Sequence, residues 1–187
     1  LEFPQWRVKT VAMIKVFATV LALGAALPAA QTPAPQGAAE IESFLGQAGP
    51  VCRSRPAAQC VDRFFAAAAG DRRGLTAADV TALRQRFGAW YQWRSDGLAA
   101  QERTAIGLGL LFADGLGPDR LHGAFDEDRD GFISKAELLA EVKMDQRPLG
   151  QVLADPAAVD RAGLARRLGL PVQLLNPVFT SPAKTGG

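Results

Sequence analysis

A single histidine (His122) and two cysteines in 187 residues are too few for a His-rich zinc site or a four-cysteine cage. A Ser-His-Asp or Cys-His relay would have to use that one histidine, and no supporting motif flanks it. The net charge is only +2, and no run of Lys and Arg gathers it into a patch, so nucleic acid is not an expected partner. Aromatic residues make up 7% of the chain, which suits a small helical domain better than a membrane protein. A membrane-spanning helix needs roughly 20 consecutive apolar residues. Lys15 interrupts the one candidate, so no stable span is expected.

The front of the chain has the layout of an export signal. Met13-Ile14-Lys15 precedes an apolar run from Val16 to Leu27, and Pro28-Ala29-Ala30 supplies small residues before a cut. Residues 13–30 are therefore expected to be a signal peptide, and residues 1–12 an upstream extension of doubtful status. Residues 1–30 carry Arg7, Lys9 and Lys15 against Glu2, so the remainder is formally neutral. A periplasmic or secreted location follows, and in such an oxidising compartment Cys52 and Cys60 are expected to form one disulfide around a small loop.

Residues 31–39 (QTPAPQGAA) are expected to be a Pro/Ala linker, residues 40–170 the folded domain, and residues 171–187 a flexible tail. Within the domain, apolar residues recur at three and four, broken by Gly, Pro and Asp and not by alternation, so the expected class is all-α. Val80, Leu83, Phe87, Trp90 and Tyr91 mark one face of a helix beginning near Thr76. Ile106, Leu110 and Ala113 mark another, and Pro118 suits the first turn of a short helix through Leu121 and Phe125. The core contains no nucleophile motif, phosphate loop or paired catalytic carboxylates, which argues against an enzyme.

One segment carries specific chemistry. Residues 126–137 read DEDRDGFISKAE, that is, D-x-D-x-D-G-x-I-S-x-x-E. Asp126, Asp128 and Asp130 alternate, so their carboxylates can converge on one cation. Gly131 permits a turn with positive φ. Phe132 offers its carbonyl, Ser134 can act through water while capping the next helix, and Glu137 can supply two oxygens at once. That donor set favours calcium over magnesium, and four carboxylates so close together repel one another without a cation.

The loop resembles that of the EF-hand calcium-binding family over its full twelve residues. The resemblance implies helix-loop-helix pairs, in which the aliphatic residue Ile133 shares backbone hydrogen bonds with the matching residue of a partner loop. Leu75-Thr76-Ala77-Ala78-Asp79 and Val159-Asp160-Arg161-Ala162 echo Ile133-Ser134-Lys135-Ala136, and Leu98-Ala99 does so more weakly. Similar spacings from Leu75 to Leu98 and from Ile133 to Val159 suggest two pairs, with Val159 the favoured partner of Ile133. None of the three echoes retains a ligand set, so one intact loop and two or three degenerate ones are expected.

The implied function is calcium binding through loop 126–137 in an exported helical protein, as sensor or buffer, with an unidentified protein partner allowed for. The alternative is a structural or adaptor module whose constitutive calcium only stabilises the fold. Only Met144 remains after residue 30, so a Met-rich groove that opens on calcium has little support.

Overall fold

The computed structural model describes residues 33–174. The readings for residues 1–30 and for the tail from 175 onward lie outside these. Eight helices run in the order α1 (Gln36–Ser54), α2 (Ala57–Ala69), α3 (Ala77–Arg94), α4 (Ala100–Leu116), α5 (Pro118–Phe125), α6 (Lys135–Leu138), α7 (Leu149–Ala154) and α8 (Arg161–Leu168), with short 3₁₀ turns at Ser95–Gly97 and Val172–Leu174. The class is all-α: among the described residues there are no strands, only two isolated antiparallel bridges. No described helix is long and apolar enough to cross a membrane.

The first helix starts inside the segment expected to be a linker. Pro35 precedes it and Ala38 is fully buried, so residues 36–39 belong to the folded body. Cys52 and Cys60 form a disulfide that ties the end of α1 to the first turn of α2 across Pro56. The cysteine pair is thus part of the core, where both residues are buried.

Helix α3 begins with a capping box. The Thr76 hydroxyl accepts from the Asp79 amide at 3.2 Å, and the Asp79 carboxylate accepts from the Thr76 amide at 2.9 Å, which satisfies two donors the helix start would otherwise leave unpaired. Its buried face joins Phe87 and Trp90 to Ala38 and Ile41 of α1, Leu98 and Ile106, forming the smaller of two hydrophobic clusters. Trp90 is 1% exposed, and its indole N–H donates to Glu42 at 2.6 Å, so an otherwise apolar site keeps its polar atom paired. Arg86 pairs with Glu40, and the buried Arg94 with Glu42. Trp90, Arg86 and Arg94 therefore fasten α3 to α1, while Arg84 and Tyr91 bind Asp114 and the Arg103 carbonyl of α4.

The larger cluster joins α2, the end of α4, α5, α7 and α8 around Phe64, Phe65, Phe112, Leu121 and Leu164. Two loops meet across it. Leu75 donates to the Ile133 carbonyl at 3.0 Å, and Ile133 donates back to the Leu75 carbonyl at 2.8 Å. The expected pairing of Ile133 with Val159 is therefore replaced: Val159 bridges Val142, with Lys143 donating to Ala158 and Asp160 to Glu141 on either side. Leu98 makes no bridge and is buried in the smaller cluster beside Trp90. The Val142 pairing also stops the helix that follows the acidic loop. Helix α6 is one turn long, because residues 141–143 spend their backbone groups on residues 158–160 and not on a continuing helix. Leu139 and Val142 lie beyond its end.

Gly74 makes the loop contact possible. A Cβ there would lie 2.5 Å from the Ile133 carbonyl oxygen, a contact that backbone on both sides cannot relieve. Gly74→Ala is expected to destabilise the protein by at least about 1 kcal/mol through overpacking, measured as the shift in urea midpoint. An unchanged midpoint would mean that the Leu75–Ile133 bridge does not constrain the fold.

Candidate metal centre

The loop begins where α5 ends. The Asp126 amide donates to the His122 carbonyl at 2.9 Å, and from there the chain curls around its own carboxylates. Asp128 accepts from the Asp130 amide at 3.0 Å, Asp130 from the Phe132 amide at 2.9 Å, and Asp126 Oδ2 from the Gly131 amide at 3.1 Å. Two residues with positive φ bend the backbone: Arg129 at 60° and Gly131 at 85°. The turn at Gly131 is the one the sequence requires; the one at Arg129 is unusual for a residue with a side chain. The result brings one carboxylate oxygen each from Asp126, Asp128 and Asp130 within 4.8 Å of one another.

Burial distinguishes Asp126 from the other two. Its side chain is 10% exposed, and Oδ1 is buried without a hydrogen-bond partner. An ionised oxygen withdrawn from water and left unpaired is costly, more so with two other carboxylates close by. A cation held among the three would satisfy that oxygen and remove the repulsion, and an all-oxygen donor set suits a hard metal ion. The residues present fit such an ion.

Glu137 is not gathered with the three aspartates. One of its carboxylate oxygens accepts from the amides of Glu127 (2.7 Å) and Asp128 (3.3 Å), and the other from the Ser134 amide (2.8 Å). Burial pushes the carboxyl upward, but the bonds from Ser134, Glu127 and Asp128 outweigh it and hold the group at about 2, from the usual 4.5. The Ser134 hydroxyl returns a cap to the Glu137 amide at 3.2 Å. Ile133 sits in the bridge to Leu75 with its side chain in the core. In this arrangement Glu137 laces the loop's end to its beginning, and Phe132 is held between the Asp130 carboxylate and the Ile133 bridge.

Several residues that shape the site come from elsewhere in the chain, where the loop motif gives no sign of them. Arg73, next to Gly74, reaches across the bridge to Asp130: its guanidinium lies 3.0 Å from the carboxylate, donates to the Asp130 carbonyl at 3.3 Å and sits 4.1 Å over the Phe132 ring. Arg167 on α8 is largely buried and binds both ends of the loop, Glu127 at 3.1 Å and the Glu137 carbonyl at 3.2 Å, along with Glu141 at 2.9 Å. His122 is buried behind the loop, with Nε2 3.2 Å from the Leu75 carbonyl; at 3.9 Å its Nδ1 is too far from Asp126 for a hydrogen bond.

The facing loop, residues 68–79, is closed by an arginine. Arg72 donates to the carbonyls of Ala69 (2.9 Å) and Ala68 (3.4 Å) at the loop's start and pairs with Asp79 at its end (2.8 Å). Burial raises the Asp79 carboxyl, but the bonds from Arg72 and Thr76 prevail and leave it below the usual range. A guanidinium thus spans the loop's first carbonyls and its last carboxylate.

Comparisons with protein-family models, curated proteins and solved structures return no match for this chain.

The Glu137 bonds have a pH signature. Its folded value lies below its unfolded one, so its stabilising contribution is complete above about 4.5 and is lost as pH falls through about 2. In metal-free protein, the Glu137 side-chain carbonyl followed by NMR should titrate near 2; a midpoint near 4.5 would show that the three amide bonds are not formed.

Proposed function

We propose that the protein binds one calcium ion in loop 126–137, as an EF-hand-like site whose ion stabilises the fold. The observation that carries this is the buried, unpartnered Oδ1 of Asp126, drawn together with the carboxylates of Asp128 and Asp130. The Phe132 carbonyl, a Ser134-bound water and a Glu137 turned inward from its amide partners would raise the oxygen count towards the seven that calcium accepts readily. The exchange of backbone bonds between Leu75 and Ile133 supports the reading, since EF-hand loops pair through this position. The disulfide is in keeping with an exported protein.

A specific observation favours the structural role over a sensor. Sensors work by swinging the helices on either side of the loop to expose a groove. Here the helix after the loop is four residues long, and its continuation is bonded to residues 158–160. Arg167 ties both loop ends to α8 as well. Calcium would therefore order the loop with little change elsewhere.

Calorimetric titration of the protein with Ca²⁺ in millimolar Mg²⁺ should give one site. At a free calcium 100 times Kd, folding stability should rise by about 2.7 kcal/mol, with helicity unchanged. Glu137→Gln should weaken binding at least tenfold while the protein stays folded. No binding would defeat the site assignment, and a large calcium-dependent gain in helicity or exposed apolar surface would favour the sensor.

Arg73 places a positive charge 3.0 Å from a proposed ligand, so it must oppose a divalent ion. The pair is exposed, and such contacts contribute about 0–1 kcal/mol. Arg73→Gln is therefore expected to tighten calcium binding roughly two- to fivefold, by the same titration. Unchanged or weaker binding would mean that the guanidinium does not compete with the ion.

A further inference from the structure

Arg167 stands 30 residues beyond the end of the acidic loop, on α8, and its side chain is 12% exposed. All three arms of the guanidinium are used. Nη1 donates to the Glu137 carbonyl at 3.2 Å, Nη2 to the Glu127 carboxylate at 3.1 Å, and Nε lies 2.9 Å from the Glu141 carboxylate. These contacts close a ring. Arg167 holds the carbonyl of Glu137 and the side chain of Glu127, and the Glu127 amide holds the side chain of Glu137 at 2.7 Å. The second and twelfth residues of the loop are thereby fixed to each other and to α8. The segment after the loop is held on the same side, by the Asp160 amide donating to the Glu141 carbonyl.

We infer that Arg167 is a positioning residue that sets the size of ion the loop accepts, favouring calcium over magnesium. The inference rests on the calcium reading of residues 126–137. Magnesium demands near-octahedral oxygens at about 2.0–2.1 Å, while calcium takes them at about 2.3–2.6 Å in looser geometry. A loop closes on the smaller ion only if its ligands draw inward. Ile133 is fixed in its middle by the Leu75 bridge and Glu137 at its end by Arg167, so contraction would break bonds at both points. Freed from Arg167, the residue that carries the last carboxylate could follow the smaller ion inward. Charge does not account for such a preference, because both ions carry two positive charges and a guanidinium repels them alike. The Glu127 arm contributes least to the hold, since that carboxylate is 71% exposed.

The test compares the Ca²⁺ and Mg²⁺ dissociation constants of the full-length protein and of Arg167→Lys, by calorimetric titration and competition. Lysine keeps the charge, but its single ammonium lacks the fork that spans the Glu137 carbonyl, Glu127 and Glu141 together. The ratio of magnesium to calcium Kd should fall at least tenfold, with the helicity of the metal-free protein unchanged. An unmoved ratio, equal weakening of both ions included, would overturn the inference and leave Arg167 as a structural partner of Glu141. Should Arg167→Lys fail to fold, Arg167→Gln combined with Glu141→Gln removes both charges of the pair and is expected to lower the ratio in the same way. Wild-type protein that binds neither ion would overturn the calcium reading as well. Wild-type protein that binds calcium without preferring it, or with a preference the variants keep, would overturn this inference alone.

Discussion

The antiparallel exchange between Leu75 and Ile133 places two loops, from segments nearly sixty residues apart, back to back over one core. Each bond alone is modest, worth about 0.5–1.5 kcal/mol net, yet leaving such buried groups unpaired would cost more than forming them gains. Once the two bonds form, much else follows. Gly74 must lack a side chain, because the Ile133 carbonyl occupies that space. The Leu75 carbonyl that accepts from Ile133 also lies 3.2 Å from Nε2 of the buried His122. Arg73 is delivered to Asp130 because it lies two residues from the crossing. The bridge therefore sets the electrostatics of the acidic loop as well as its position.

The two bridged loops share a frame but differ in where their positive charge comes from. Both are closed by a capping box, Thr76 with Asp79 and Ser134 with Glu137, in nearly the same geometry. In residues 68–79 the charge is covalently part of the chain: Arg72 spans the first carbonyls and the last carboxylate. In residues 126–137 three carboxylates converge and one of their oxygens is buried without a partner. Arg73 and Arg167 offset the charge from outside, on Asp130, Glu127 and Glu141, and neither reaches that oxygen. Buried polar atoms are paired as a rule, so the state of that oxygen is what distinguishes this loop from its neighbour.

Much of this was legible in the sequence, in particular wherever the information is local. The helical periodicity placed α3 with Thr76 at its cap, and Pro118 marked the start of α5. The convergence of Asp126, Asp128 and Asp130, the turn at Gly131 and the cap at Ser134 were readable because each is a local matter of alternation, backbone conformation or capping. Pairing was harder. Leu75 and Val159 both resembled the partner of Ile133, Leu98 did so more weakly, and spacing along the chain favoured Val159 over Leu75. The pairing found joins Leu75 to Ile133 and Val142 to Val159, non-local contacts that periodicity does not encode. The short α6 was hidden for the same reason: residues 138–142 suit a helix locally, and the competing backbone partners lie at residues 158–160. Arg73, Arg167 and His122 carry no motif; they matter only because the fold brings them to the loop.

Ile133 shows why the candidate site and the core cannot be treated as separate parts. Its backbone forms the bridge, its side chain is 3% exposed within the larger cluster, and its neighbours Phe132 and Ser134 belong to the acidic loop. A packing defect beneath Ile133 would be passed to the loop through two hydrogen bonds and a single peptide unit, with no flexible segment between to absorb it. The reverse also holds, since any movement of residues 126–137 must either carry the Ile133 side chain with it or break the bridge. Phe125 and Leu138 flank the loop and lie against the same cluster, so both of its ends are anchored like its middle. With one anchor inside its twelve residues and one at each flank, the loop can shift its carboxylates by side-chain rotation far more readily than by moving its backbone. The proposed ion among Asp126, Asp128 and Asp130 would therefore be met by side chains turning towards it.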